Sequence, residues 1–167
     1  MRLLISGSPH PDSANSRLLR AFAATDTDNS YQFADYLAHL PVFQPQRDKA
    51  PWPETVLRWR SDVAAAESVL ITTPAYLHNL PGVLKNALDW LASSGELAEK
   101  PTLAMTFTPA PPRGKRTMQS LLWSLEALNA SIRVQAELYQ QDYHLTDKEA
   151  RPQDAVREMV EAMLGQL

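Results

Sequence analysis

Short apolar runs alternate along the chain with stretches whose apolar residues recur at helical spacing. Five runs read as strands: Arg2–Ser6, Ser30–Asp35, Ser68–Thr73, Thr102–Phe107 and Ser131–Ala136. The third run is nearly continuous in β-branched and aliphatic residues, which is typical of a central parallel strand covered on both faces.

Five stretches are predicted as helices: Ala14–Ala24, Glu54–Ala66, Pro81–Ser93, Met118–Asn129 and Asp147–Leu164. Pro81 suits a first helical turn, where its missing N–H costs nothing. The connection Tyr36–Pro53 holds four prolines and is predicted to lack regular structure. The residues predicted for the buried side of the second helix are Val56, Leu57, Trp59, Val63 and Ala64.

Alternating strands and helices predict an α/β fold, an open parallel sheet with helices on both faces. Residues 1–167 carry no repeat or linker and are expected to form one domain. Such sheets bind ligands outside the carboxyl ends of their strands. Three loops leave strand ends here, Ser8–Ser16, Pro74–Leu80 and Thr106–Arg116, and we expect them to converge on one crevice.

Composition narrows the function classes. A net charge of -3 without a long basic run gives no reason to expect a nucleic-acid partner. The absence of cysteine excludes disulfides and thiolate chemistry, and four scattered histidines do not suggest a metal site. No apolar run reaches the length of a membrane span, and the start of the chain does not resemble a signal peptide. We therefore expect a cytoplasmic protein with no membrane partner.

The first loop combines strand, hydroxyl-rich turn and helix start, which is an arrangement that can hold a phosphate. The N–H groups of a first helical turn and the helix dipole both favour an anion. Short side-chain donors are supplied by Ser8, Ser13, Asn15 and Ser16. Plain helix capping explains the same residues equally well, because no glycine-rich phosphate motif is present.

The other two loops suit the rest of a larger ligand. Tyr76 and His78 beside Pro74 are suited to line a flat aromatic ligand, although a rim loop packed on neighbouring helices is the alternative. Thr106 and Thr108 offer hydroxyl groups. The basic residues that follow, Arg113, Lys115 and Arg116, fit a second phosphate, but a solvated loop is the favoured interpretation.

Catalytic side chains are scarce in these loops. Ser6-Gly7-Ser8 is not a nucleophile elbow, and Asp12 is almost the only carboxylate present. This argues against glycosidase chemistry and against magnesium-dependent phosphoryl transfer. A site that is poor in acids and bases, yet able to hold a phosphorylated ring, indicates a cofactor that performs the chemistry itself.

Two segments, GSPHPDSANSRLL and TPAYLHNLPGVLKNALDWL, resemble the NADPH-dependent FMN reductase family of flavodoxin-like quinone, azo and chromate reductases. The match in the second segment is specific, nearly position for position from Pro81 to Trp90, and the spacing agrees over nearly the whole chain. The resemblance implies a flavodoxin-like sheet of five parallel strands in the order 2-1-3-4-5. It also implies FMN as cofactor and NADPH or NADH as co-substrate.

The resemblance further implies roles for particular residues. The predicted cofactor-binding residues are Ser8, His10, Ser13, Ala14, Asn15 and Ser16 in the first loop, Pro74, Ala75, Tyr76, Leu77 and His78 in the second, and Thr106 and Thr108 in the third. The first set corresponds to the phosphate loop, the second borders the isoalloxazine ring, and the third lies near its pyrimidine side. No catalytic side chain is expected, because FMN carries the chemistry.

The implied reaction is ping-pong hydride transfer from NAD(P)H to FMN and on to a small-molecule acceptor such as a quinone or azo compound. A homodimer or homotetramer is expected. The chain departs from the family pattern at three loop positions: His10 replaces Arg, Ala75 replaces Glu and Leu77 replaces Asn. These departures predict weaker FMN binding or altered acceptor choice. They also leave two alternatives, a flavodoxin-type electron carrier and a flavin-poor binding or regulatory module.

Overall fold

The computed structural model describes residues 1–25, 30–146 and 150–167. Its main sheet has five strands: β1 Arg2–Ser6, β2 Tyr31–Phe33, β3 Ser68–Thr73, β4 Pro101–Thr108 and β5 Ser131–Tyr139. All neighbours pair in parallel, in the order β2-β1-β3-β4-β5. The predicted flavodoxin-like topology is therefore confirmed, although β2 is shorter than predicted and β5 is longer.

Helices cover both faces of this sheet: α1 Ala14–Thr25, α2 Glu54–Ala65, α3 Gly82–Asp89, α4 Lys115–Ala127 and α5 Asp154–Leu164. Alternate strand residues feed two separate cores. Leu3 contributes to the core beneath α2, α3 and α4, and the adjacent Leu4 to the core beneath α1 and α5. This alternation places α1 on the side of the sheet to which Leu4 and Ser6 point.

The predicted last helix, Asp147–Leu164, is wrong at its start. Residues 147–149 lie outside the described residues, and α5 begins at Asp154. Before it, strands β6 Tyr143–Leu145 and β7 Ala150–Pro152 form an antiparallel pair. Pro152 explains the difference, because a proline cannot donate the hydrogen bond that the interior of a helix requires.

The predicted irregular connection after β2 contains two 3₁₀ turns, Leu37–His39 and Pro45–Arg47. Side chains of α3 and its C-terminal end hold it in place. The Asn86 Oδ1 accepts a hydrogen bond from the Phe43 N–H at 2.8 Å, and the Trp90 Nε1–H donates to the Pro41 carbonyl at 2.7 Å. Two residues of the family-like segment thus support the fold rather than bind a ligand.

Other helix boundaries also differ from the predictions. Pro81 caps α3 from outside, and the helix ends at Asp89 rather than at Ser93. Because α4 starts at Lys115 instead of Met118, the loop after β4 is shorter than predicted. On α2, Leu57 is exposed and Arg60 is buried instead, and Ala64 is likewise exposed.

Candidate functional site

Asn15 ties the first loop to the centre of the sheet. Its side-chain Nδ2 donates to the Phe107 carbonyl of β4 at 3.3 Å. Its backbone carbonyl accepts a hydrogen bond from the Thr72 Oγ1 of β3 at 3.4 Å. The start of α1 is therefore fixed above the carboxyl ends of β3 and β4. The expected convergence of the first loop with these strand ends is present.

A hydroxyl cluster forms the base of the first loop. The Ser16 Oγ donates to the Ser6 Oγ at 3.0 Å and lies 2.9 Å from the Ser13 Oγ. The Ser13 Oγ also accepts from the Ser16 N–H at 3.1 Å, as helix-capping residues do. Ser6 was not among the predicted site residues. Its position two residues after Leu4 on the same strand face was the available signal.

His10 lies at the exposed outer side of the loop. Its ring Nδ1 accepts a hydrogen bond from the Asp12 backbone N–H at 3.1 Å. The backbone N–H of His10 donates to the Ser8 Oγ at 3.3 Å. The contact with the Asp12 N–H fixes the orientation of the His10 ring over the turn. His10 therefore stabilises the turn in a way that an Arg side chain does not.

The phosphate end of FMN fits this loop. The first-turn N–H groups of Ala14 and Asn15 have no acceptor within the described residues, and they lie at the positive end of α1. Asn15 is 2% exposed, and its buried Oδ1 has no hydrogen-bond donor in the described part of the chain. Free N–H groups suit a phosphate, and the Oδ1 suits a hydroxyl of the ribityl chain.

The second loop is a tight turn that projects from the sheet. Tyr76 and Asn79 exchange two backbone hydrogen bonds, of 3.0 and 2.9 Å. Leu77 and His78 at the tip have φ angles of 49° and 62°. Residues other than glycine adopt this left-handed backbone conformation at an energetic cost. Leu77 is 99% exposed and Tyr76 49%. This loop offers an apolar and aromatic rim next to Pro74 and Ala75.

The threonines of the third loop point inward. Thr106 and Thr108 belong to β4 and are buried, and the Thr108 Oγ1 donates to the Arg113 carbonyl at 2.8 Å. The Thr106 Oγ1 has no partner within the described residues and lies under Gly114, where an added Cβ would stand 2.9 Å from it. Gly114 has a φ of 107°, which glycine adopts readily. Both hydroxyls therefore lie beneath the loop backbone.

No group of three or more His, Cys, Asp or Glu side chains among the described residues is arranged to hold a metal ion. No helix in the described ranges is long and apolar enough to cross a membrane. A parallel sheet in the order β2-β1-β3-β4-β5, with a hydroxyl-rich loop after β1, defines a flavodoxin-like protein.

The chain belongs to the NADPH-dependent FMN reductase family, whose model matches residues 2–144. The predicted family is confirmed. The family's own description gives FMN and NADPH, so the predicted cofactor, co-substrate and enzyme class are those of the family.

Relatives of known activity are similar to parts of the chain. The chain is 39% identical over 88 residues to a 2-hydroxy-1,4-benzoquinone reductase from Burkholderia sp., covering 52% of this chain and 47% of that protein. It is 32% identical over 99 residues to a quinone reductase from Escherichia coli strain K12, covering 58% and 53%. These alignments span about half the length of each relative.

Other matches run along most of the chain. An NADPH azoreductase from Bacillus sp. strain OY1-2 is 27% identical over 166 residues, covering 94% of this chain and 89% of that protein. The flavoenzyme FerB, an NAD(P)H:(acceptor) oxidoreductase from Paracoccus denitrificans, superposes with a TM-score of 0.79 at 19% identity, covering 99% and 93%. General stress protein 14 from Treponema denticola, solved in complex with FMN, gives 0.55 at 15%, covering 97% and 91%. These two structural matches confirm the fold.

Proposed function

We propose that residues 1–167 form one FMN-binding domain that oxidises NADPH or NADH and reduces a small-molecule acceptor such as a quinone or azo compound. The observation that carries this proposal is the first loop, with its free N–H groups at Ala14 and Asn15 and the unpartnered Asn15 Oδ1. The family supports it, as do the names of the quinone and azo reductases that the chain resembles.

In this proposal the chain binds and orients, and supplies no catalytic acid or base. The predicted first-loop residues would hold the flavin phosphate, and Pro74–His78 would border the ring. Bound FMN would supply the hydride and electron chemistry that links NAD(P)H to the acceptor. Because a single exposed rim serves both reactants, we propose that they bind in turn, as in a ping-pong mechanism.

The direct test is an FMN titration followed by steady-state oxidation of NADPH and NADH with a quinone and with an azo dye. Saturable FMN binding together with acceptor-dependent NAD(P)H oxidation supports the proposal. Bound FMN without NAD(P)H oxidation would favour an electron carrier. A protein that neither binds FMN nor gains thermal stability from it would favour a binding module, since a bound ligand stabilises by mass action.

We expect His10→Arg to bind FMN about fivefold more tightly than the unmodified protein. The guanidinium would place a fixed positive charge beside the phosphate loop, at the position where the family carries Arg. Fluorescence titrations of the two proteins with FMN measure this difference. Equal or weaker binding by His10→Arg would contradict the expectation that His10 weakens FMN binding.

Assembly and location stay predictions. The fully exposed Leu77 on the loop that borders the proposed ring site is consistent with a homodimer or homotetramer that covers this rim. Light scattering on the purified protein measures the assembly, and a molar mass equal to one chain would exclude it. A cytoplasmic location is proposed from the family's chemistry and is tested by cell fractionation.

A further inference from the structure

One cavity shares Ser8 and Ser16 with the phosphate loop and extends from there toward the end of β2. It has a volume of about 290 Å³ and lies between α1 and the end of β2. Three hydroxyl-bearing residues of the loop region line it, Ser6, Ser8 and Ser16, whereas none of the residues 74–78 does. The cavity thus continues from the phosphate end of the proposed FMN site and is not filled by the ring.

The inner wall of this cavity is apolar and partly aromatic. Leu4 and Leu37 are buried, and the half-buried Phe33 at the end of β2 contributes a ring. Flat purine and pyrimidine bases stack on aromatic side chains. The wall therefore suits a nucleobase better than it suits a sugar or a second phosphate.

Two charged groups border the same cavity. The Asp35 carboxylate follows β2 and makes no hydrogen bond or ion pair with any residue that the structure describes. A free carboxylate accepts both hydroxyls of a ribose diol. The Arg20 guanidinium donates to the Pro11 carbonyl at 2.8 Å and contacts the Asp12 Oδ1 at 3.4 Å, so it lies beside the loop where a second phosphate would enter.

We propose that this cavity binds the adenosine monophosphate half of FAD, so that the chain accepts FAD as well as FMN. The lining residues include partners for a phosphate, a ribose diol and a base, which are the groups that follow the flavin phosphate in FAD. The proposal rests on the proposed function, which places that phosphate in the first loop. The adenosine of NADPH fits poorly, because its 2′-phosphate would face the Asp35 carboxylate as a like charge.

The test is calorimetric titration of flavin-free protein with FMN, FAD and AMP. Asp35→Ala removes the diol acceptor, and Ala38→Trp adds a bulky side chain at an exposed residue of the cavity wall. Each should weaken FAD about tenfold and leave FMN within about twofold, since each changes only the AMP half. AMP should compete with FAD and not with FMN. Glu126→Ala, an exposed acid on α4, is the matched control.

The outcomes separate this inference from the proposed function. FAD affinity that neither variant changes would overturn it, and so would an equal loss for FMN and FAD. If Asp35→Ala weakens NADH binding but leaves FAD unaffected, the cavity belongs to the nicotinamide nucleotide and the FAD assignment is wrong. Failure of the unmodified protein to bind FMN would instead refute the proposed function.

Discussion

Replacing Gly7 with alanine should destabilise the protein by about 2 kcal/mol and weaken FMN binding at least about tenfold. A Cβ at this position would stand 2.7 Å from the Thr73 Oγ1 and 2.8 Å from the Leu84 Cδ2. Both neighbours are fully buried, and the Thr73 Oγ1 donates to the Pro74 carbonyl, so neither yields easily. The strain is relieved by moving β1 and the phosphate loop away from β3.

Urea unfolding and an FMN titration of Gly7→Ala measure the two effects. Gly82→Ala is the matched control, because nothing lies within 4 Å of its ideal Cβ and it opens α3. Its unfolding free energy should stay within about 0.5 kcal/mol of the unmodified protein. Equal behaviour of the two variants would contradict the close approach of Gly7 to Thr73 and Leu84.

Replacing Arg60 with methionine should cost about 3–5 kcal/mol of folding free energy. The Arg60 Nη2 lies 2.7 Å from the Asp48 Oδ1, and the two side chains are only 10% and 7% exposed. Arg60 also donates to the Trp90 carbonyl through Nε and Nη2, at 3.0 and 2.9 Å. Removal of the guanidinium leaves the Asp48 carboxylate buried without its cationic partner. The Trp52 Nε1–H still donates to the Asp48 Oδ1, at 3.2 Å.

The same pair predicts an acid-labile part of the stability. Burial acts to raise the pKa of Asp48, but hydrogen bonds from Ser93, Arg60 and Trp52 outweigh it, and the pKa lies below its usual range. A lowered folded-state pKa adds stability above the unfolded value, about 4, and this stability is lost as pH falls through the folded value. The stability difference between the unmodified protein and Asp48→Asn should therefore shrink below pH 4.

Unfolding curves at pH 7 and at acidic pH test the pair. Arg157→Met is the control, since Arg157 and Asp154 form a pair with side chains 58% and 92% exposed. Exposed pairs contribute about 0.5 kcal/mol or less. A loss for Arg60→Met no larger than for Arg157→Met would show that the buried pair does not hold the Pro-rich connection to α2.

The sequence predicted the sheet because its signals are local. Runs such as Ser68–Thr73 fill a buried strand with apolar residues, and the start of α1 at Ala14 follows from the polar loop before it. The start of α5 could not be predicted in this way. Leu145 pairs with Ala150 where β6 and β7 run antiparallel, and that pairing depends on packing rather than on the helical pattern.

The sequence proposed a set of candidate site residues, but it did not predict the contacts that hold them in place. Asn15 was identified as a phosphate-loop residue, but its bond to the Phe107 carbonyl joins residues 92 positions apart in the chain. The burial of Arg60 likewise depends on hydrogen-bond acceptors supplied by Asp48 and Trp90. The apolar periodicity of α2 does not predict these distant contacts. The roles of Asn86 and Trp90 as ties to the Pro-rich connection emerge only from the folded chain.

The central claim is that the loop after β1 holds the flavin by its phosphate. Comparing the dissociation constants of FMN and riboflavin, which differ only in that phosphate, tests it most directly. Free first-turn N–H groups and the dipole of α1 recognise the phosphate alone, so FMN should bind about 100-fold more tightly than riboflavin. Equal dissociation constants for the two flavins would contradict the claim.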